Sequence, residues 1–185
     1  MNAKGLLCSP SAFKIPDALP RKDGLALLMP FDAKFDAVYK AIKGTAERLS
    51  LQCRRADDLW NDSAIINDIF ELIYHCALVV CDCTGRNPNV FYEVGIAHTL
   101  GREVIPITQH ADDVPFDLRH LRFLMYLPND EGLAHFGIKL EERIRTIMEK
   151  QSQEASSIMN KIWHSALSQS DSNHQWFMSN NIRRI

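Results

Sequence analysis

The segment that decides the fold is ALVVCDCTGRNPNVFYEVGIAHTLG, residues 77–101. It begins with an apolar run rich in valine whose only charge, Asp82, stands at its far end, and this predicts a short strand buried on both faces. The pattern then becomes helical, because Asn87 can cap a helix, Pro88 suits a first turn and Gly101 suits a C-terminal stop. The segment therefore predicts a buried strand, a tight turn and a helix in succession.

Strand-like and helical patterns alternate along most of the chain. The expected strands are residues 24–31, 51–55, 77–82, 103–107 and 122–126. The expected helices are residues 35–51, 63–75 and 88–100, with a long one that begins near Glu131. Such alternation implies βαβ units with right-handed crossovers and a parallel sheet. We therefore expect an α/β fold, a three-layer flavodoxin-like or Rossmann-like domain with a mainly parallel five-stranded sheet, followed by C-terminal helices.

Three regions of the chain differ in pattern. Residues 1–23 contain three prolines and no sustained period, which predicts an irregular N-terminal arm. Residues 24–150 hold the expected α/β domain. Residues 151–185 are expected to form a helical and largely polar extension. The apolar helical period of residues 140–167 is interrupted by a polar stretch at 151–157, which indicates a terminal helix or a helical pair.

The bulk composition argues against several classes of function. The chain is 46% hydrophobic and 24% charged with a formal net charge of −2, so no charge excess favours nucleic acid as a partner. No run approaches the roughly 18 apolar residues of a membrane span. Five cysteines, an odd number in a chain long enough to fold without disulfides, indicate a reducing, cytoplasmic setting.

Two carboxylates flank the turn that follows the buried strand. Ligands of such folds bind beyond the carboxyl ends of the strands, where Asp82 stands. Glu93 lies in the second turn of the next helix, about 8 Å from its N-terminal end, and its side chain leans towards that end. The helix dipole there favours an ionised carboxylate. We therefore expect Asp82 and Glu93 to face one pocket.

Two carboxylates at one pocket suit glycosidic chemistry. An ionised carboxylate can attack an anomeric carbon, or stabilise the oxocarbenium-like charge that develops there. A second carboxyl, kept partly protonated by its like-charged neighbour, can donate the proton that a leaving base needs. The alternative is structural, with Asp82 capping the turn and Glu93 as a solvated helix residue.

The turn before the helix is a candidate anion site. Gly85, Arg86 and Asn87 could offer backbone N–H groups and a guanidinium to a phosphate, although a plain structural turn is the other interpretation. Neither a Walker loop nor a G-x-G-x-x-G fingerprint is present.

Charged residues also follow the second expected strand. Arg55, Asp57 and Asp58 could contact a ribose or a phosphate, or could be solvated turn charges. They add a second group of candidate contacts at the same edge of the sheet.

No metal or cofactor is expected. Strand alternation turns Cys81 and Cys83 to the face opposite Asp82, into helix-covered core. No second cysteine pair and no spaced histidine pair accompanies them. Glycosidic chemistry itself needs no redox group.

Several motifs follow one another along the chain. Leu-Met-Pro-Phe stands at residues 28–31, Arg-Ala-Asp-Asp at 55–58, Asn-Pro-Asn-Val-Phe-Tyr-Glu at 87–93, and Pro-Phe-Asp-Leu-Arg at 115–119. Together they resemble the bacterial nucleoside 2-deoxyribosyltransferase-like domains, which are neighbours of the TIR-like fold. The resemblance covers about residues 24–127, and the block at 87–93 is its most specific part.

The resemblance implies cleavage or transfer at an N-glycosidic bond. In the transferases a helix glutamate attacks the sugar and forms a glycosyl-enzyme, which passes the sugar to another base or to water. By motif position this nucleophile is Glu93, and Asp82 looks like the aspartate that contacts the sugar or assists the departing base. TIR enzymes that cleave NAD also use a helix glutamate. The implied substrate is a nucleoside, a nucleotide or an NAD-like molecule.

The resemblance and the strand ends together indicate the substrate contacts. These are Met29, Pro30, Phe31, Arg55, Asp57, Asp58, Gly85, Arg86, Asn87, Asn89 and Tyr92. A homo-oligomer is also implied, because transferases of this kind often share residues across subunits.

One departure from the transferase pattern supports an alternative function. Thr-Gly-Arg-Asn-Pro-Asn occupies residues 84–89, where the transferases have Asp-x-Gly-Thr. The alternative is a non-catalytic nucleotide-sensing module, or a TIR-like signalling and self-association module such as those of bacterial defence systems. In that case the C-terminal helices carry the signal to a partner.

Overall fold

The structure is a computed structural model that describes residues 16–17, 20–21, 23–55 and 65–181, with side chains of the last helix described as far as Trp163. Most of the expected N-terminal arm lies outside the described residues. So do two of the expected substrate contacts, Asp57 and Asp58.

The described part of the chain contains five strands, four α-helices and three single-turn 3-10 helices. The strands and α-helices are β1 (Gly24–Leu28), α1 (Asp36–Arg48), β2 (Gln52–Arg55), α2 (Ile65–His75), β3 (Leu78–Asp82), α3 (Pro88–Thr99), β4 (Glu103–Thr108), β5 (Leu124–Met125) and α4 (Asp130–Asn181). The strands pair in the order β2-β1-β3-β4-β5, and every pair is parallel. This is the strand order of a flavodoxin-like sheet, so the expected fold class is confirmed.

Alternation along the central strands assigns residues to the two faces of the sheet. The face covered by α2 and α3 carries an apolar cluster that contains Val79, Cys81 and Cys83. The expectation that both thiols enter helix-covered core is therefore confirmed. Asp82 stands between the two cysteines and points to the other face. On that side Tyr126 packs against Phe136 of α4, with ring centroids 5.5 Å apart.

The local signals at the ends of α3 act as the sequence indicates. The Asn87 side chain accepts the N–H of Asn89 at 2.9 Å, and Pro88 is the first helical residue. Gly101 follows the helix with a φ of +66°, a conformation that glycine adopts without steric penalty. The turn, the cap and the stop are therefore all confirmed.

Several elements are shorter than their patterns suggest. β1 ends at Leu28 rather than at residue 31, because Pro30 has no N–H to donate to a neighbouring strand. α1 ends at Arg48, since Ser50 takes a φ of +58° that no helix contains. β5 has only two residues, although residues 122–126 match a strand pattern.

The chain divides into two compact units, Met1–Glu142 and Arg143–Ile185. α4 runs across this boundary without a break, and the polar stretch 151–157 lies inside the helix rather than interrupting it. That stretch contains neither glycine nor proline, so nothing in it stops a helix. Among the side chains described in the second unit, five large apolar ones are exposed, those of Met148, Ile158, Met159, Ile162 and Trp163.

Membrane insertion was tested on the described helices. None of them combines the length with the apolar character that a membrane-crossing helix requires.

Candidate functional site

Polar side chains from three neighbouring strands meet at the carboxyl edge of the sheet. Asp82 ends β3, Gln109 follows β4 directly, and Tyr126 follows β5 directly. Adjacent parallel strands end at the same edge, which is why residues as far as 44 positions apart in sequence come into contact.

Asp82 is fully enclosed, with 0% of its surface exposed. Its Oδ1 accepts the N–H of Thr84 at 2.9 Å, and its Oδ2 accepts the hydroxyl of Tyr126 at 2.7 Å. Gln109 donates its side-chain N–H to the Tyr126 oxygen at 3.1 Å and its backbone N–H to Thr84 Oγ1 at 3.0 Å. Asp82 is therefore the centre of a satisfied hydrogen-bond network that ties three strand ends together.

Burial raises the pKa of the Asp82 carboxyl above its usual range. The hydrogen bonds from Thr84 and Tyr126 act in the opposite direction, and the negative charge of Asp113 adds to the rise. Burial, followed by the charge of Asp82, also raises the pKa of the Tyr126 phenol. Tyr126 is therefore a neutral hydroxyl donor at physiological pH.

The turn after β3 is held by residues of the loop after β4. Gly85 and Arg86 both have positive φ, +75° and +55°. The N–H of Gly85 donates to Asp113 Oδ2 at 2.9 Å, and Arg86 Nε lies 3.5 Å from Asp113 Oδ1. Arg86 also donates to the carbonyl oxygen of Asp112. The donors that could bind a phosphate are thus engaged by a carboxylate of the same chain.

The other expected contacts of this region surround the start of α3. The Asn87 side chain is occupied in capping the helix, whereas Asn89 is exposed. Tyr92 is 56% exposed and available to a ligand.

Glu93 stands on the buried stripe of α3. Val90, Val94 and Ala97 are all buried, and Glu93 shares their face because it is three residues after Val90 and four before Ala97. Its side chain is partly buried, and burial raises its pKa to about 7. Within the described part of the chain, no hydrogen bond or ion pair reaches it. The helix dipole was expected to favour the ionised form, but burial outweighs it here.

Asp82 and Glu93 do not act on each other as their positions in the sequence suggest. Neither carboxyl contributes to the pKa shift of the other, and the like charge that raises the pKa of Asp82 is that of Asp113. Asp82 turns towards the end of β5, where Tyr126 encloses it. That the two carboxyls face one pocket stays a prediction.

A second group of expected contacts lies at the ends of β1 and β2. The Arg55 guanidinium is 4.4 Å from the ring centroid of Tyr39 and 5.6 Å from that of Phe31. Phe31 is 59% exposed, so the edge presents an aromatic ring beside a cation. Met29 is buried and Pro30 partly buried, which leaves mainly their backbone for contacts.

Three residues without a motif of their own complete this edge. Gln109 and Tyr126 stand at or just beyond the ends of expected strands, and a tyrosine that ends a buried strand needs a partner for its hydroxyl. That signal could have identified both. Asp113 ends a single 3-10 turn, Ala111–Asp113, in the loop after β4, and nothing in the sequence points to its contact with Gly85.

The described residues contain no group of three or more His, Cys, Asp or Glu side chains arranged to hold a metal ion.

Comparisons with known proteins bear on the fold. No protein-family model and no curated protein sequence matches the chain. A 2-desoxiribosyltransferase from Leishmania mexicana aligns over 64% of this chain and 97% of its own at 15% identity, with a TM-score of 0.47 that is too low to carry an argument.

One solved structure supports the fold assignment. The TIR domain of the Toll-related receptor TRR-2 from Hydra magnipapillata covers 65% of this chain and 97% of its own, at 17% identity and a TM-score of 0.52. The chain therefore shares its flavodoxin-like α/β fold with a TIR domain.

Proposed function

We propose that this domain cleaves or transfers at the N-glycosidic bond of a nucleoside, a nucleotide or an NAD-like molecule, with Glu93 as the nucleophile. The observation that carries the proposal is the state of Glu93: a partly buried carboxyl on the apolar face of α3 with a pKa raised to about 7. A carboxyl with a shifted pKa and no structural partner among the described residues is a functional candidate, because the fold gains nothing from it.

The proposed reaction has two steps. The ionised Glu93 carboxylate attacks the anomeric carbon, the C–N bond breaks, and the bonding electrons leave with the base, which takes a proton from water. The glycosyl ester is then opened by water, which returns the carboxylate, or by a second base, which completes a transfer. A pKa of about 7 keeps part of the Glu93 population ionised at neutral pH.

Asp82 has a supporting role in our proposal and does not contact the substrate directly. Its carboxyl is enclosed by Tyr126 and Thr84, so direct contact with a sugar would require the 2.7 Å bond to Tyr126 to open. We therefore give Asp82 the role of fixing the strand ends from which the turn to α3 departs.

The substrate contacts in this proposal come from two directions. Phe31 and Arg55, with the backbone of residues 29 and 30, would face the base or the sugar from the β1–β2 side. Asn89 and Tyr92 are exposed at the start of α3 and would approach from the other side. The remaining proposed substrate contacts are Gly85, Arg86, Asn87, Asp57 and Asp58.

A second candidate function is a non-catalytic module that senses a nucleotide or self-associates in a TIR-like manner. Two observations favour it. Asp82 is closed off from solvent, and the second unit exposes the large side chains of Ile158, Ile162 and Trp163, which could contact another copy or a partner. A homo-oligomer and a cytoplasmic location are parts of both proposals.

A chromatographic screen for released base distinguishes the two functions. Wild type and Glu93→Gln would be incubated with ribo- and deoxyribonucleosides, their monophosphates and NAD. Glu103→Gln is the matched control. It makes the same change at an exposed residue that begins β4, at the edge of the sheet opposite the candidate site. Release by wild type and the control but not by Glu93→Gln supports the enzyme.

Two other outcomes decide against the enzyme. Equal release by Glu93→Gln and wild type would rule out Glu93 as the nucleophile. If none of the three proteins releases base, but one compound raises the Tm of wild type and of Glu93→Gln, the sensing module is favoured instead.

A further inference from the structure

The turn after β3 already contains an anion of its own chain. Asp113 accepts the backbone N–H of Gly85 at 2.9 Å with Oδ2 and lies 3.5 Å from Arg86 Nε with Oδ1. A carboxylate that binds a backbone N–H and a guanidinium uses the same donors that a phosphate oxygen would use. In this respect Asp113 stands where an anionic ligand group would otherwise bind.

The two neighbouring aspartates of this loop differ sharply in their surroundings. The Asp113 side chain is 20% exposed, whereas that of Asp112 is 96% exposed. Asp112 reaches Arg86 only through its backbone carbonyl, and its carboxylate is 4.0 Å from Arg119. The carboxylate of Asp113 therefore occupies the turn, whereas the carboxylate of the neighbouring Asp112 does not. Asp112 can serve as a control for Asp113.

The same edge is also electrostatically unfavourable for a phosphate. Burial is the main cause that raises the pKa of Asp82, and the negative charge of Asp113 adds a smaller rise. Arg86, the cation nearest the turn, is already paired with Asp113. An incoming phosphate would find these donors already occupied by Asp113 and would be repelled by its like charge.

We propose that Asp113 is a specificity-determining residue that makes this edge select uncharged nucleosides over their phosphorylated counterparts. The inference rests on the proposed function and refines its ligand class. Selection works by exclusion: the carboxylate occupies the donors and repels the group that would replace it. A sugar hydroxyl meets no such barrier, because it can donate a hydrogen bond to the same carboxylate.

The first test uses inorganic phosphate and needs no turnover. Tm would be measured against phosphate concentration at constant ionic strength for wild type, Asp113→Asn and Asp112→Asn. The two variants lose the same charge, so a general effect of net charge appears in both. We expect a phosphate-dependent rise in Tm for Asp113→Asn alone, with phosphate bound about tenfold more tightly than by wild type.

Two further variants keep this test decisive. Asp113→Glu retains the charge and should retain the exclusion of phosphate. Asp113→Ser also removes the charge and keeps a small polar side chain, so it replaces Asp113→Asn if that protein does not fold. Equal phosphate responses in wild type, Asp113→Asn and Asp112→Asn would overturn the proposal.

The second test separates this inference from the proposed function. The rate of base release from deoxyadenosine is divided by the rate from its 5′-monophosphate. This ratio should be about tenfold lower in Asp113→Asn than in wild type. Wild type that cleaves the monophosphate as well as the nucleoside contradicts the inference while leaving the enzyme intact. Phosphate binding gained by Asp113→Asn, without base release from any variant, supports the inference and contradicts the enzyme.

Discussion

Asp82 and Glu93 are two carboxyls near one edge of the same sheet, and the fold treats them in opposite ways. Burial raises the pKa of both. Asp82 has no exposed surface and accepts hydrogen bonds from Thr84 and Tyr126, whereas no described residue bonds to Glu93. A buried carboxyl with all its partners stabilises the fold, and one without partners adds nothing to it. The comparison supports a structural role for Asp82 and the chemical role that we propose for Glu93.

The difference originates in the elements that carry the two residues. Asp82 ends a central strand, so the ends of two neighbouring strands bring it partners. Glu93 stands on a helical face whose other members are apolar, and apolar side chains remove water without replacing its hydrogen bonds. The same residue type is therefore the centre of a hydrogen-bond network in one place and a carboxyl without a described partner in the other.

The largest expected effect is the loss of stability on removing Asp82. Asp82→Ala leaves the Tyr126 hydroxyl and the Thr84 N–H without their acceptor, at about 3 kcal/mol. For a chain of this length that lowers Tm by about 6–12 °C. Thermal denaturation of Asp82→Ala beside Glu93→Gln measures the contrast directly. Equal losses in the two variants would abolish the distinction between them.

A smaller effect is expected from Tyr126→Phe. The ring still packs against Phe136, but Asp82 loses its 2.7 Å donor, which weakens folding by about 2 kcal/mol. Tyr92→Phe is the matched control, because that hydroxyl belongs to an exposed side chain. Urea denaturation of both variants gives the comparison. A Tyr126→Phe protein as stable as the control would mean that the network does not support the edge.

The smallest effect concerns pH and Glu93. Burial raises its pKa from the ordinary 4.5 to about 7, so the folded chain holds this proton more tightly than the unfolded chain. Glu93 therefore costs no stability below about pH 4.5, where its carboxyl is protonated in both states, and stability falls as pH rises through about 7. Glu93→Gln does not titrate, so the variant should match wild type at pH 4.5 and exceed it at pH 8.

The expected size of that pH effect is modest. Solvent screening at a partly exposed site reduces it to about 1 kcal/mol, or about 2–4 °C in Tm for a chain of this length. Tm of both proteins between pH 4.5 and 8 tests it. A difference that does not change with pH would show that Glu93 is solvated like an ordinary surface glutamate.

Much of the fold follows from local signals in the sequence. The run that ends at Asp82 is apolar because its strand is central, and Asn87, Pro88 and Gly101 mark the ends of α3 by their backbone chemistry. The position of Glu93 on a buried stripe could also be read from its spacing to Val90 and Ala97. Each of these signals is local, because it involves residues of a single helix or strand and its ends.

The contacts that decide the roles of the carboxyls are not local. Tyr126 reaches Asp82 across 44 positions, and Asp113 reaches Gly85 across 28. Strand order determines which loops become neighbours, but no periodicity indicates which side chain in an irregular loop turns inward. The sequence therefore identified both carboxyls but not the distant partners, Tyr126 and Asp113, that the fold brings to this edge.

The fold does not choose between the two candidate functions. A TIR domain shares this architecture at 17% identity, and a shared architecture supports many activities. The choice depends on whether the Glu93 carboxyl of α3 forms a covalent bond to a sugar.

The most direct measurement is the mass of the peptide that carries Glu93 during turnover. Trypsin releases residues 87–102, in which Glu93 is the single side-chain carboxyl, so an attached sugar identifies its site. Wild type denatured by acid during base release should yield this peptide with the mass of one glycosyl group, and Glu93→Gln should not. Base release without that adduct, or a sugar on another peptide, would contradict the account.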